Sequence, residues 1–313
     1  MTFEIPGIEI GHATDEAHHT GCTVILCPQG AVGSIDVRGT GPGTREAALL
    51  GPERPLHKVN AVVLTGGSAF GLATADGVVR YLAERGYGHV TPIRPVPIVA
   101  GAVVFDLFSN KGEHPPGPEM GYAAAQDARP GNDAQGNAGA GAGVFVGKWA
   151  GFEGMMKGGF GLASVQLGDL VVAAAAVVNS IGDVLNKDGS VLAGARDAKG
   201  GWMVEKFPLR YMPLAGPPPA GTNTTLVVVM TNARLTKLES YRLAQNAHDG
   251  MAIAIRPAHM DHEGDTAFAL ATEEVQAPFA QVAAAATEMT AEAIRNAVRH
   301  ARSLGDVPGL ADE

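Results

Sequence analysis

The sequence is poor in cysteine, which excludes two classes of small-domain architecture. Only two of its 313 residues are cysteines, Cys22 and Cys27 in "GCTVILC". Residues an odd number of positions apart on a strand point to opposite faces, so these thiols are not expected to meet. Neither a disulfide framework nor a cysteine zinc site is therefore predicted.

Clustered positive charge and long apolar runs are also missing. The net charge is −9 and no cluster of Lys or Arg occurs, which argues against nucleic acid or an anionic membrane surface as partner. The longest apolar run, "LVVAAAAVV" at 170–178, has half the length of a membrane span. The acidic start "MTFEIPGIEIGHATDE" lacks the apolar stretch of a signal peptide, so a cytoplasmic location is expected.

What the chain has is a large apolar fraction, 46%, punctuated by 42 glycines and 20 prolines. Such a composition supports a well-buried core with many tight turns. Short apolar segments interleave with helical patterns, which predicts a layered α/β domain. Strands are predicted at 22–27, 60–66, 97–107, 170–182, 224–231 and 265–272.

Three helices are predicted from their end signals. The first covers 68–86, with Ser68 as cap and Gly86 as stop; the second opens at the capping box Thr236–Glu239 and runs to about 255. The last covers 278–304 and is closed by Gly305. Segments 111–137 and 196–222 are polar and rich in Pro and Gly, and the first is expected to be a surface loop carrying one short helix.

Two glycine-rich segments suggest familiar motifs but fail their requirements. "GNAGAGAGVFVGKW" at 136–149 would need a hydroxyl residue after Lys148 to be a phosphate loop, and Trp149 stands there. "TGGSAFG" at 65–71 would need a glycine where Phe70 stands to be a nucleophile elbow. The ten histidines form no ligand-spaced helical pair, so no metal is predicted.

The segment "PPPAGTNTTLVVVMTNA" at 217–233 raises a different chemistry. A threonine hydroxyl is a weak nucleophile unless a base takes its proton, and an N-terminal threonine carries such a base as its own α-amine. Cutting the Asn223–Thr224 bond would create that amine at the start of a buried strand. A plainer interpretation is that Asn and Thr merely end a loop.

Five ordered blocks give the chain a resemblance to a known family. They are "TGCTVILCPQGAVGSIDVRGTGPGTRE", "VVLTGGSAFGLATADGVVRYLAERG", "GAGAGVFVGKW", "NTTLVVVMTNARLTK" and "IRPAHMDHEGDTAFALAT". Over nearly its whole length the chain resembles the autoprocessing peptidases that include L-aminopeptidase/D-esterases, β-peptidyl aminopeptidases and nylon-oligomer (6-aminohexanoate-oligomer) hydrolases. The resemblance implies a single catalytic domain, 1–313, with a four-layer αββα sandwich of the aminopeptidase and ornithine acetyltransferase type.

The resemblance also implies a set of site residues. Thr224 would be the nucleophile of self-cleavage after Asn223 and of substrate turnover. Glu263 and Asp265 would hydrogen-bond the N-terminal threonine, and Asn179 would donate its amide to the oxyanion. Lys148 would stabilise that oxyanion or lower the pKa of the amine.

The family resemblance is compatible with more than one activity. Chains 1–223 and 224–313 would stay associated in a homo-oligomer, a tetramer of processed protomers, and no cofactor or metal would be needed. The substrate would be a short linear amide, either a peptide or a 6-aminohexanoate oligomer. The aminopeptidase branch carries an acidic residue and a tyrosine where Val103 and Phe105 stand here, which weighs against that specificity. The same fold would also suit an acyltransferase or a non-enzymatic binding protein.

Overall fold

A computed structural model gives the structure of the protein and describes residues 4–210 and 222–312. The predicted polar segment 196–222 therefore lies partly outside the described residues. The strands are β1 (Glu9–Asp15), β2 (Thr20–Val37), β3 (Thr44–Arg45), β4 (Lys58–Thr65), β5 (Val99–Val103), β6 (Phe145–Val146), β7 (Met156–Lys157), β8 (Gly159–Leu167), β9 (Leu170–Asn179), β10 (Asp183–Leu185), β11 (Val191–Ala193), β12 (Thr224–Ala233), β13 (Ile255–Arg256) and β14 (Thr266–Val275). The α-helices are α1 (Thr74–Glu84), α2 (Pro118–Asp127), α3 (Lys237–Ala254) and α4 (Phe279–Arg299).

One mixed sheet organises the fold, in the order β3-β5-β4-β2-β14-β12-β9-β8, with β1 added alongside β2. Strand β2 is 18 residues long, whereas the sequence pattern predicts only 22–27. Its first part pairs with β1 and β4, and its second part pairs with β14. Because β2 passes from one β layer to the other, the two layers are parts of one continuous sheet.

Three apolar clusters separate four layers. Helices α1 and α2 pack on one side of the β1–β2–β4–β5 layer, helices α3 and α4 pack on the β14–β12–β9–β8 layer, and the third cluster fills the space between the two β layers. The predicted αββα sandwich is confirmed. Within the described residues no helix has both the length and the apolarity to cross a membrane.

Side-chain alternation along the strands produces these clusters. Leu226 and Val228 of β12 face the space between the β layers, and Val227 faces α3 and α4. Cys22 and Cys27 face opposite clusters, as predicted, and both are free thiols whose pKa burial raises to about 12.

Two helix ends differ from the sequence prediction. Ser68 makes no capping hydrogen bond; residues Ser68–Ala73 form a 3₁₀ helix and α1 starts only at Thr74. Helix α4 ends at Arg299 rather than at 304, because the Asn137 side chain bonds both the N–H and the carbonyl of Arg302 and draws the chain away. The capping box at Thr236 and the stop at Gly86 are confirmed.

The strand predicted at 97–107 is shorter than expected. Strand β5 ends at Val103, because the chain beyond it turns to meet the 66–68 turn: Ser68 N–H donates to the Val104 carbonyl and Gly67 N–H donates to Asp106. Segment 111–137 does carry a short helix, but this helix, α2, is an integral part of a layer and packs on α1.

Helices α1 and α2 touch backbone to backbone. A Cβ placed on Gly121 would lie 1.9 Å from the Thr74 carbonyl oxygen, so only glycine fits there. We expect Gly121→Ala to lower the free energy of unfolding by about 1–3 kcal/mol, the cost typical of overpacking. Helix propensity alone would give the opposite sign.

Chemical denaturation of the two variants Gly121→Ala and Gly117→Ala measures this contact. Gly117, the N-cap of α2, has nothing within 4 Å of its would-be Cβ, so Gly117→Ala measures the cost of alanine at that cap without a close contact, and Gly121→Ala should be the less stable of the two. Equal stability of the two variants would contradict the close contact between the helices.

Candidate active site

Strand β12 carries Thr224 to the point where the predicted site residues meet. Thr224 is the register partner of Asn179, the last residue of β9. On the other side β12 runs parallel to β14, which places Glu263 and Asp265 beside residues 223–225. All of these side chains, and that of Lys148, are buried. The structure therefore brings together every residue that the sequence predicted for the site.

The carbonyl of the Asn223–Thr224 peptide accepts two hydrogen bonds. The Thr224 hydroxyl donates a hydrogen bond to the Asn223 carbonyl oxygen, 2.5 Å away. The same carbonyl oxygen accepts the backbone N–H of Gly264 at 2.9 Å. A Cβ on Gly264 would lie 2.8 Å from the Thr224 hydroxyl, so glycine gives the backbone donor its close approach. A hydroxyl and a polarised carbonyl thus lie side by side.

The side-chain amide of Asn179 has one orientation fixed by its partners. Its Oδ1 accepts from the Lys148 ammonium at 2.9 Å and from the Phe145 N–H at 3.1 Å. Its Nδ2 donates to the carbonyl oxygens of Phe105, at 3.0 Å, and of Thr222, at 3.3 Å. Since donors surround the oxygen and acceptors surround the nitrogen, the reverse orientation would lose all four bonds.

Lys148 lies inside the protein, in contrast to the surface position that a lysine after a glycine turn commonly takes. Its Nζ also donates to the Asn179 backbone carbonyl at 3.0 Å. Burial lowers the pKa of Lys148 to about 7, and the charge of Glu263 opposes this shift. A proton can therefore leave or join this amine near neutral pH.

The acidic pair binds backbone amides around the threonine. Asp265 accepts the Thr225 N–H on Oδ1 at 2.7 Å and the His259 ring on Oδ2 at 2.7 Å. Glu263 accepts the N–H groups of Ile181, at 3.1 Å, and Met260, at 2.9 Å. Burial, followed by the charge of Asp265, raises the pKa of Glu263 to about 8. The pair thus contacts the residues beside Thr224 rather than Thr224 itself.

A small cavity of about 250 Å³ opens onto the Thr224 side chain. Its other walls are residues 41–43, the 68–69 turn, and the side chains of Val103 and Phe105. All of these lining side chains are uncharged. A larger cavity of about 920 Å³ lies elsewhere and is lined by none of the predicted site residues.

Sequence reasoning missed the backbone part of the site. The Gly264 N–H and the cavity walls at 41–43 and 68–69 have no predicted role, although glycine-rich segments are prominent in the sequence. His259, which bonds Asp265, was also missed. In the sequence, the only sign of this contact is that His259 lies six residues before Asp265. Among the described residues no group of three or more His, Cys, Asp or Glu side chains is arranged to hold a metal ion.

Comparison with solved structures identifies the class of fold. The chain superposes on a β-aminopeptidase from Burkholderia sp. with a TM-score of 0.71 at 22% identity, covering 98% of this chain and 89% of that one. It superposes on the L-aminopeptidase D-Ala-esterase/amidase of Ochrobactrum anthropi with a TM-score of 0.72 at 18% identity, covering 97% and 87%. The latter is described as a variant of the N-terminal-nucleophile hydrolase fold, and the present chain has this fold.

Sequence comparison gives the family. The model of peptidase family S58 matches residues 2–310, and the chain belongs to this family. It is 40% identical to an uncharacterised aminopeptidase of Mycobacterium leprae, over 97% of this chain and 91% of that protein. It is 34% identical to a 6-aminohexanoate-oligomer endohydrolase of Paenarthrobacter ureafaciens, over 89% and 76%. The protein is a hydrolase of amide bonds, as predicted.

The buried amine of Lys148 has a measurable consequence for stability. Its pKa is about 7 in the folded chain and near 10.5 in the unfolded chain, so the unfolded state binds more protons between these values. The contribution of Lys148 to stability therefore falls as the pH falls from about 10.5 to about 7. We expect Lys148→Met to gain stability relative to wild type over this range, and the gain to level off below pH 7.

Denaturation midpoints of wild type and Lys148→Met at pH 7 and pH 10 test this expectation. Lys199→Met removes an exposed lysine and is the control. The difference between its denaturation midpoint and that of wild type should be the same at both pH values. If the midpoint of Lys148→Met also differs from that of wild type by the same amount at both pH values, burial of the Lys148 ammonium does not lower stability, and the expectation is wrong.

Proposed function

We propose that the protein is a self-cleaving amide hydrolase, cut between Asn223 and Thr224 into chains 1–223 and 224–313. The observation that carries this proposal is the contact of the Thr224 hydroxyl with the Asn223 carbonyl, which Gly264 N–H polarises. The continuous chain is then a precursor, and 1–313 forms one catalytic domain before and after the cut.

Self-cleavage proceeds by an acyl shift from nitrogen to oxygen. The Thr224 Oγ attacks the Asn223 carbonyl carbon, and the negative charge that develops on the carbonyl oxygen is met by Gly264 N–H. The C–N bond then breaks, and the proton of the hydroxyl ends on the departing nitrogen. Water hydrolyses the resulting ester, which leaves a carboxylate on Asn223 and a free α-amine and hydroxyl on Thr224.

After the cut, the same residues serve substrate turnover. The α-amine of Thr224 takes the hydroxyl proton as that oxygen attacks the carbonyl carbon of a substrate amide. The substrate C–N bond then breaks, the proton passes to the departing amine, and water hydrolyses the ester on Thr224 to release the acid and restore the hydroxyl. Asp265 holds β12 in place through the Thr225 N–H. Departure of the Thr222 carbonyl would free one Nδ2 hydrogen of Asn179 for the substrate oxyanion, with Lys148 fixing the orientation of that amide. Such a donor contributes about 3–4 kcal/mol to transition-state stabilisation.

The proposed substrate is a short linear amide, a 6-aminohexanoate oligomer or a peptide. A cavity of about 250 Å³ has room for a residue-sized unit beside Thr224. Within the part of the chain that the structure describes, its walls offer no charged side chain to bind a terminal ammonium or carboxylate. Cleavage at an internal amide therefore fits this surface, and the endohydrolase named among the relatives acts on such oligomers.

Aminopeptidase activity is the second candidate, supported by the name of the Mycobacterium leprae relative. That reaction would require a group that binds the free amine of the substrate. Val103 and Phe105, on the cavity wall, supply none.

We further propose that the enzyme works in the cytoplasm as a homo-oligomer, a tetramer of processed protomers, without a cofactor. Its family resemblance supports the assembly, and the chemistry above uses protein groups alone.

Replacement of the nucleophile tests self-cleavage. Denaturing intact-mass measurement of wild type should give two chains beginning at Met1 and Thr224. Thr224→Ala should stay at the full 32.1 kDa, because it lacks the attacking oxygen. Thr224→Ser keeps that oxygen and should be cut. Cleavage of Thr224→Ala at the same bond would contradict the proposal.

Blocking the substrate amine separates the two candidate activities. We expect an N-acetylated 6-aminohexanoate trimer to be hydrolysed at a rate within about threefold of the unblocked trimer, since no described residue of the cavity wall is an ammonium ligand. Loss of activity of about 100-fold or more on acetylation would instead assign an aminopeptidase.

A further inference from the structure

His259 occupies a constrained position against the acidic pair. Both its backbone N–H, at 3.2 Å, and its ring Nδ1, at 2.7 Å, contact Oδ2 of Asp265. Its φ of +58° lies in the left-handed region that few non-glycine residues adopt. Its side chain is 18% exposed, so the pair is shielded from water. The other carboxylate oxygen of Asp265 holds the Thr225 N–H, one residue from the nucleophile.

The two buried carboxyl groups have different partners. Glu263 is bonded by two neutral backbone amides, whereas Asp265 is bonded by an imidazole as well as by amides. Buried carboxylates so close in sequence and space disfavour each other's ionisation. Lys148 is a second cation near the pair and acts on Glu263, but burial lowers its pKa to about 7 and it bonds Asn179 rather than Glu263. A cation bonded directly to one carboxyl therefore decides which of the two carries the negative charge.

The charges around His259 point to this ring as the cationic partner. Burial disfavours its protonation, but the hydrogen bond and charge of Asp265 outweigh that effect and raise the pKa of His259. The His248 ring packs against it at 4.8 Å and is itself buried, which lowers the pKa of His248 to about 4. Among the residues that the structure describes, the other charged groups acting on these rings are Asp36 and Arg38, beside His248, and Glu263, beside His259. His248 thus stays neutral.

We propose that His259 is a positioning residue of the active site, whose imidazolium makes Asp265 the charged member of the acidic pair. This inference rests on the proposed Thr224 mechanism. A charged Asp265 binds the Thr225 N–H more strongly than a neutral carboxyl would, and so fixes the backbone that carries the nucleophile. Glu263 is left as the protonated member.

The variant His259→Asn isolates the charge. Asparagine tolerates the left-handed backbone and its Nδ2 can donate to Asp265 from nearly the same place as the ring Nδ1, but it stays neutral. We expect the acid side of the pH–rate profile for amide hydrolysis to move about one unit higher, with kcat roughly tenfold lower on that side. KM should change little. His259→Ala, which also loses the hydrogen bond, should be slower still.

His57→Asn replaces an exposed histidine and is the control, with an expected profile equal to wild type. A superimposable profile for His259→Asn would overturn the proposal. A second measurement needs no catalysis: in ¹⁵N spectra of wild type recorded over a pH series, both ring nitrogens of His259 should stay protonated to a higher pH than those of a free imidazole, and a ring that loses its proton at or below that pH would equally overturn the proposal. Absence of wild-type hydrolysis with a protonated His259 would count against the proposed function and leave the charge assignment standing.

Discussion

The register of β12 between β9 and β14 is the constraint on which the site depends. All ten residues of this strand are buried, so its backbone groups must pair with the neighbouring strands. The observed register sets Thr224 opposite Asn179 and Leu226 beside Thr266. A slip by one residue would exchange the two faces of β12 and move the Thr224 side chain away from Gly264. The apolar alternation that separates the layers therefore also sets the direction of the Thr224 hydroxyl.

Burial of the ionisable groups gives the site its chemical character. Around Lys148, Glu263 and Asp265, backbone amides and carbonyls take the place of water as hydrogen-bond partners. Each of the three groups has its own set of partners. The pKa of Lys148 falls to about 7 and that of Glu263 rises to about 8, both chiefly through burial. Such groups lower stability, and the large apolar clusters on both sides of the sheet offset this cost. The same arrangement leaves proton donors and acceptors poised near neutral pH.

Several secondary-structure elements could be predicted from residue types, but the backbone contacts of the site could not. The apolar run after Thr224 and the capping box at Thr236 have direct sequence signals, and both occur as predicted. The layer order and the site residues were predicted from the family resemblance, since local patterns contain no information on which strands become neighbours. The passage of β2 through two layers depends on long-range pairing. The role of the Gly264 N–H could not be predicted from the sequence, because nearly every residue has a backbone N–H. Only the fold shows that this one donates to the Asn223 carbonyl. The contribution of His259 is hidden for a similar reason: the chain must turn through a left-handed residue to bring the ring back onto Asp265.

Trapping the ester intermediate tests the central claim most directly. The chain is synthesised in a cell-free system with neutral hydroxylamine present, and its products are followed by intact mass. If Thr224 Oγ attacks the Asn223 carbonyl, hydroxylamine will intercept the ester, and chain 1–223 will end in a hydroxamate while the other chain begins at Thr224. A chain that is cut at this bond without any hydroxamate, or that stays whole under the same conditions, would contradict the mechanism.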